Sequence, residues 1–302
     1  MSNKQYYSLN EYYKNKFGKK VYKLSINGGM TCPNRDGTLD TRGCVFCSEG
    51  GSGEFSAKFD ADIIFQLNEA EKRVKTKTKD NLYIAYLQPF TNTYADVEYL
   101  RNIYYKAIEP DNIVGLSIAT RPDCLGGDIL ALLKEINMIK PVTVELGLQT
   151  IHKTTADYIR RGYDLEVFDK AVKKLHEIGV EVVTHIIIGL PFETEEMILE
   201  SVEYAGRVTD GIKLQLLHII KGTDLEIEYR NNKFEVLSLE KYTDIICKSI
   251  ELLPKNVVIH RITGDGDKKS LIAPLWSADK KRVLNYINKQ LDLRNVKQGS
   301  KL

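Results

Sequence analysis

VTVELGLQTIHKTTADYIRRGYDLEVFDKAVKKLHEIGVEVVTHIIIG, residues 142–189, begins and ends on runs rich in β-branched residues and carries an amphipathic helical pattern, DLEVFDKAVKKLHEIG, between them. Two strands joined by a crossover long enough for a helix are the unit of a parallel sheet, because parallel neighbours cannot be joined by a tight turn. The unit recurs. Upstream lie VYKLSI (21–26), LYIAYLQ (82–88) and NIVGLSIAT (112–120), and downstream IKLQLLHII (212–220), with helical patterns such as DVEYLRNIYYKAI, GDILALLKEINMI and TEEMILESVEYAGRV between the strands. Six such runs predict an α/β fold, a curved and incomplete (β/α)6 barrel rather than a flat doubly wound sheet; in either arrangement the C-terminal ends of the strands face one shared cavity.

Beyond about residue 236 the pattern changes to a helix, SLEKYTDIICKSIELL, a short strand, VVIHRITG, a loop, DGDKKSLIAPLW, and a basic helix beginning near Ser277. The expected organisation is a basic, aromatic N-terminal segment (1–20), the partial barrel (21–235), and a C-terminal α/β extension with the basic helix and tail (236–302). With 43% hydrophobic and 28% charged residues the 302-residue chain has the composition of an ordinary globular protein. The opening MSNKQYYSLNEYYKNKF has no apolar run, and no uninterrupted span long enough for a membrane helix follows, so a cytoplasmic, non-membrane protein is expected. The net charge of +2 hides an uneven distribution. Lys280, Lys281, Arg282, Lys289, Arg294, Lys297 and Lys301 face only Asp279 and Asp292 in the last 25 residues, and YYKNKFGKKVYK interleaves lysines with Tyr12, Tyr13, Phe17 and Tyr22. Cations that neutralise phosphates beside rings that stack on bases suit RNA, and they equally suit a solvated lysine-rich surface.

The notable residues follow the predicted strands. CPNRDGTLDTRGCVFC (32–47) comes after the first, then QPFTNTY, TRPDC, QT, GLPFET and KGTD after the others. Three of the five cysteines sit in the first of these loops, and in a reducing compartment such a cluster points to metal or redox chemistry rather than disulfides. Cys247 reads as a small core residue; Cys124 suits either the core or a cavity wall. A structural zinc site takes four protein ligands, and the nearest histidine in the sequence is His152. A four-iron cluster held by three thiolates leaves one iron open to a small-molecule ligand.

This loop, with a widened C-x11-C gap, then C-x2-C and Phe46 just before the last cysteine, resembles that of radical S-adenosylmethionine (radical SAM) enzymes. GLSIATRPD (115–123), ELGLQTIHKTTADYIRRGYD (145–164) and HIIIGLPFET (185–194) are similar to segments of the Elp3-like branch; together with HRITGDG (260–266) and APLW (273–276) they resemble the YhcC/YtqA family. The resemblance implies a radical-SAM partial barrel. It implies that Cys32, Cys44 and Cys47 hold a 4Fe-4S cluster whose open iron chelates S-adenosylmethionine, and that an electron then releases a 5'-deoxyadenosyl radical. By the same likeness Phe46 lies against the adenine, Gln149 contacts the ribose or nearby groups, Arg161 or its neighbour Arg160 binds the methionyl carboxylate, and His185 approaches the ribose. Each also has a plainer reading: Gln149 as a helix cap, the arginines as surface charge, His185 as a satisfied core histidine.

Two departures stand out: Ala119 replaces an acidic residue frequent just before TRPD, and Gln88-Pro89-Phe90 replaces a Gly-Glu pair, leaving Gln88 or Asn92 for that contact. His218, His260, Arg261, Asp265 and Asp267 are candidates for the substrate side. Trp276 either packs the final helix or stacks a base. The family implies tRNA modification, remodelling a wobble uridine's 5-carboxymethylaminomethyl side chain toward the aminomethyl or methylaminomethyl form, with tRNA as partner and an external flavodoxin- or ferredoxin-type electron donor. Two rival readings are a radical enzyme acting on a small molecule or protein, and a non-catalytic metal-containing RNA-binding protein.

Overall fold

The computed structural model describes residues 5–51, 53, 56–77, 80–264 and 266–302. The six runs form β1 (Val21–Ile26), β2 (Leu82–Leu87), β3 (Ile113–Thr120), β4 (Val142–Gln149), β5 (Glu181–Ile188) and β6 (Gly211–Leu216), each pairing with the next in parallel register. Short strands β7 (Ile219–Ile220), β8 (Val258–Arg261) and β9 (Leu271–Ala273) complete the set. The helices are α1 (Leu9–Phe17), α2 (Ile63–Val74), α3 (Val97–Ile108), α4 (Gly127–Asn137), α5 (Lys153–Tyr158), α6 (Leu165–Glu177), α7 (Glu195–Val208), α8 (Asp224–Arg230), α9 (Leu239–Leu252) and α10 (Lys280–Leu293). Their starts are chemically marked: the Asp62, Asp96, Thr194, Ser238 and Asp279 side chains accept from first-turn amides that no helical carbonyl can serve. The apolar stripes of the outer helices, such as Phe168, Ala171, Val172 and Leu175 of α6, bury against the outer face of the sheet.

The sheet is curled. In a flat sheet β1 and β6 would lie about 24 Å apart, at roughly 4.8 Å per strand, yet Lys23 of β1 and Lys213 of β6 both reach the Glu145 carboxylate on β4. The sequence and the structure differ in two places. The main sheet has seven strands, because β8 adds to β6 in parallel, with Gly211 opposite Val258 and Lys213 opposite Arg261. The sheet therefore crosses the boundary expected at 235/236; a four-residue strand is too short to show in sequence which sheet it joins. The run 212–220 is also broken, since β6 stops where Leu217 N–H donates to Ile188 O at the end of β5 (3.0 Å) and Ile219–Ile220 turns away to pair with β9.

The N-terminal stretch closes the opposite end of the half-barrel. Tyr13 is buried beside Val21 and Ile84, Tyr12 O–H donates to Glu181 at the start of β5, and Ile259 N–H of β8 donates to Tyr7 O (2.9 Å). The aromatic residues offered above for RNA are thus used at the N-terminal ends of the strands, away from the C-terminal ends where the loops gather. No helix among the described residues is long and apolar enough to cross a membrane.

Phe168→Ala, at a fully buried site, should lower the unfolding free energy by about 3–5 kcal/mol in a urea titration, whereas Met138→Ala, 76% exposed at the end of α4, should change it by less than about 0.5 kcal/mol.

Candidate functional site

The loop between β1 and α2 folds back on itself. Gly43 N–H donates to Asn34 O (2.7 Å), so residues 35–42 form a closed excursion, and the wide first gap still leaves Cys44 beside Cys32. Gly43 has φ +78°, and a Cβ there would press on the Arg35 guanidinium at 3.0 Å. That guanidinium donates to the carbonyls of Cys47 (2.8 Å) and Ser48 (2.6 Å), fixing the second turn of the loop. The five cysteines, all among the described residues, form no disulfide. Cys32, Cys44 and Cys47 line one cavity of about 350 Å³ at the C-terminal ends of the strands.

Among the described residues no three His, Cys, Asp or Glu are placed to hold a single metal ion; the thiols instead share the cavity wall. Burial and the nearby Cys47 push the Cys44 thiol up to about 12, with Asn34 Nδ2, 3.4 Å from Cys44 Sγ, pulling the other way. A thiolate buried there needs cationic ligation, which a cluster iron supplies. The donor set fits a cluster with an open corner.

Phe46, Gln88, Gln149, Arg161, His185, His218 and Arg261 line the same cavity. Gln149 is strained, with φ +68° at a bulge between β4 and β5, and its Oε1 is buried with no hydrogen-bond partner among the described residues. Positive φ on a non-glycine residue costs free energy and persists where the surroundings enforce it. Arg161 is 4% exposed and, among the described residues, pairs with no carboxylate. Its Nε donates to Tyr163 O (3.0 Å) and Nη1 to Leu148 O (3.1 Å) and Thr150 O (2.6 Å), while the Tyr163 ring lies 4.8 Å from its guanidinium carbon. Arg160, by contrast, pairs with Asp224 and is not in the wall. The two arginines are thereby separated: Arg161 presents a buried cation to the cavity.

Other candidates lie elsewhere. His260 does not line the cavity; it sits beside Gly211, where a Cβ would be 2.9 Å from its Nε2, and burial holds its ring well below the usual range. Trp276 donates Nε1–H to Leu237 O (2.9 Å) and packs on the Tyr242 ring at 5.7 Å, outside the cavity wall. Asn92 Nδ2 is spent on the carbonyls of Leu87, Pro89 and Ala119, leaving Gln88, which accepts from Ser25 O–H (2.6 Å), as the residue of that pair in the wall. Cys124 is outside the wall, Cys247 is buried in α9, Asp267 lines the rim and Asp265 lies outside the described residues.

Of the residues on the cavity floor, the sequence singles out His185, while Glu145 opens the quoted segment 145–164 without a role of its own. Glu145 accepts from Lys23 Nζ, Ser117 O–H (2.9 Å), Tyr86 O–H (2.8 Å), His185 Nε2 (2.8 Å) and Lys213 Nζ. Burial alone would raise this carboxyl, but Lys213 and Lys23 hold it well below the usual carboxylate range. Burial and Lys213 pull His185 down to about 4, leaving a neutral ring. The available signal is a charge inside an apolar run, as in VTVELGLQ and IKLQLL: strands of a covered parallel sheet are apolar on both faces, so a charge mid-strand needs an internal partner.

Residues 40–205 match the family model described as the radical SAM superfamily, and residues 209–292 match the radical SAM C-terminal domain. YtqA of Bacillus subtilis (strain 168) is 44% identical over 297 residues, 98% of this chain and 92% of that protein. The tRNA uridine(34) acetyltransferase of Methanocaldococcus jannaschii is 32% identical over 159 residues, 50% of this chain and 28% of that protein. Among solved structures, Elp3 of Methanocaldococcus infernus lacking its N-terminus superposes with a TM-score of 0.69 at 17% identity, over 92% of this chain and 64% of that one, a likeness of fold.

Glu145→Gln leaves two lysines buried without their carboxylate and should cost about 3–5 kcal/mol in urea titrations near neutral pH. In the variant the native state sheds lysine protons that the unfolded chain keeps until about pH 10.4, so stability rises with pH and the deficit should shrink as pH is raised toward that value. A deficit that grows with pH would contradict this charge assignment.

Proposed function

The chain belongs to the radical SAM superfamily, in its YhcC/YtqA family, and is an enzyme dependent on a 4Fe-4S cluster and S-adenosylmethionine; from that premise we propose that it remodels the side chain of a wobble uridine in tRNA, 5-carboxymethylaminomethyl toward the aminomethyl or methylaminomethyl form. The observation that carries the radical chemistry is the meeting of three thiols and a buried Arg161, without a carboxylate partner among the described residues, in one cavity; the substrate rests on the likeness to an enzyme named for uridine 34.

In this proposal Cys32, Cys44 and Cys47 hold the cluster. When bound, cluster and S-adenosylmethionine supply a radical able to remove a hydrogen from an unactivated carbon. Arg161 receives the methionyl carboxylate on Nη2, the nitrogen left over by its Nε and Nη1 contacts to three main-chain carbonyls, which already hold the guanidinium in place so that little freedom is lost on binding. Gln149 offers its orphaned Oε1 as an acceptor for a ribose hydroxyl, and Phe46 gives the adenine an apolar wall. His185, whose Nε2 is taken by Glu145, keeps Nδ1 for a ligand. The enclosing strands keep other hydrogen donors, such as buffer molecules and stray side chains, away from a carbon radical.

The tRNA partner is supported by the half-chain likeness to an enzyme named for uridine 34 and by charge at the rim. Lys221, Lys268 and Lys269 are exposed, and each lies within two residues of the cavity-lining Ile220 or Asp267. On α10, Lys281, Arg282 and Lys289 are exposed as well, whereas Arg294 pairs with Asp244 and Lys301 with Glu251. An external electron donor of flavodoxin or ferredoxin type completes the proposal.

Anaerobic reconstitution should load about four irons per chain and give dithionite-dependent release of 5'-deoxyadenosine; Cys44→Ala should lose both. Mass spectrometry of tRNA nucleosides from a deletion strain should show 5-carboxymethylaminomethyluridine accumulating at the expense of its products, and unchanged wobble uridines would remove tRNA as the substrate. In tRNA binding, Lys268→Ala with Lys269→Ala should flatten the dependence of log affinity on log salt by about 1.5–2, if both contact phosphates; an unchanged slope would place the RNA elsewhere.

A further inference from the structure

The cavity floor carries more positive charge than its one carboxylate can neutralise. Glu145 faces Lys23, Lys213 and, from the neighbouring strand β8, Arg261. Both oxygens of Glu145 are fully used, Oε1 by Lys23 and Ser117 and Oε2 by Tyr86, His185 and Lys213. The Arg261 guanidinium makes no hydrogen bond or ion pair among the described residues, although it lines the cavity next to Lys213, the partner of Arg261 in the β6–β8 register. His185 and His260 are held neutral by burial and by these cations, so neither adds to the charge nor cancels it. Burial pulls Lys213 down to about 7, against the attraction of Glu145, and Lys23 and Arg261 push it the same way, as expected where cations outnumber anions.

Among the described residues, a guanidinium with no partner lies beside a lysine whose one anion is shared five ways, an arrangement suited to receive a further anion. Of the other arginines in the wall, Arg121 pairs with Asp123, Arg35 is held on the Cys47 and Ser48 carbonyls of the cysteine loop, and Arg161 follows β4 and sits against Tyr163, whereas Arg261 and Lys213 belong to β8 and β6. The Arg261–Lys213 pair is thus a cationic point separate from the one given to the cofactor.

We propose that Arg261 and Lys213 receive a carboxylate carried by the substrate, so that the enzyme selects a substrate group ending in an anion and holds it at the cavity floor. The identity of that group as the glycine-derived end of a modified uridine rests on the tRNA reading above; the receptor itself does not. Anchoring the carboxylate at the floor fixes the carbon next to it within the cavity shared with the thiols. A neutral amide in its place would leave the Arg261 guanidinium without an anion and Lys213 with only its share of Glu145.

The test uses the reconstituted, cofactor-loaded full chain at constant ionic strength. Binding of N-acetylglycine is compared with that of its amide, and binding of an anticodon stem-loop carrying 5-carboxymethylaminomethyluridine with one carrying its amide, 5-carbamoylmethylaminomethyluridine. The wild type should prefer each acid by about tenfold or more. Arg261→Gln should lose the preference while keeping its affinity for S-adenosylmethionine, and Arg261→Lys should recover part of it. Equal binding of N-acetylglycine and its amide by the wild type, a preference surviving in Arg261→Gln, or a parallel loss of cofactor affinity would each overturn the proposal. If N-acetylglycine is preferred but neither stem-loop binds better than an unrelated RNA, the receptor stands and the tRNA reading falls.

Discussion

One buried carboxylate, that of Glu145, ties the inside of this half-barrel together. It accepts hydrogen bonds from side chains on β1, β2, β3, β5 and β6, so each of those strands is pinned to β4 from within. An ion pair taken out of water is costly unless its hydrogen-bonding capacity is filled, and here both oxygens are filled. The apolar face packed under the helices supplies the bulk of the stability, but it would equally suit a flatter sheet. The inward charges require the curl, because no flat arrangement brings Lys23 and Lys213 to the same carboxylate.

The curl then separates the two ends of the molecule. At the N-terminal ends of the strands, α1 and its tyrosines seal the barrel, with Tyr12 and Lys16 both bonded to Glu181. At the C-terminal ends the loops converge, and local strain concentrates there: Phe90, Gln149, Arg160 and Phe192 all hold positive φ within or next to cavity-forming loops. A satellite apolar cluster containing Val45, Ile159, Ile187 and Leu217, with Phe46 packed on it, clamps the cysteine loop to the ends of β5 and β6. The thiols are therefore presented by a supported loop and not by a free one.

Much of this was legible in the sequence because it is carried by local signals. The strands are short runs of mostly apolar residues, many of them β-branched or aromatic, the outer helices show their stripes, and the cysteine spacing is unusual enough to name its chemistry. What could not be read depends on partners far apart in the chain. Val258–Arg261 is four residues long, and only its register beside β6 shows that it belongs to the main sheet. Arg160 and Arg161 are indistinguishable in sequence; Asp224 on one side and the Leu148 and Thr150 carbonyls on the other separate them. Tyr12 and Tyr13, attractive as base-stacking rings, are spent on the barrel's closed end, and Trp276 on Leu237 and Tyr242. Glu145 carried a signal, a charge inside an apolar strand, but its five partners come from five other strands.

The central claim is that three thiolates hold a cluster with one iron left open inside this cavity. Electron paramagnetic resonance of the dithionite-reduced, reconstituted chain, recorded before and after adding S-adenosylmethionine, tests it most directly. A reduced four-iron signal whose shape changes when S-adenosylmethionine is added is the predicted result. A cluster signal indifferent to S-adenosylmethionine, or a colourless protein carrying zinc, would contradict it.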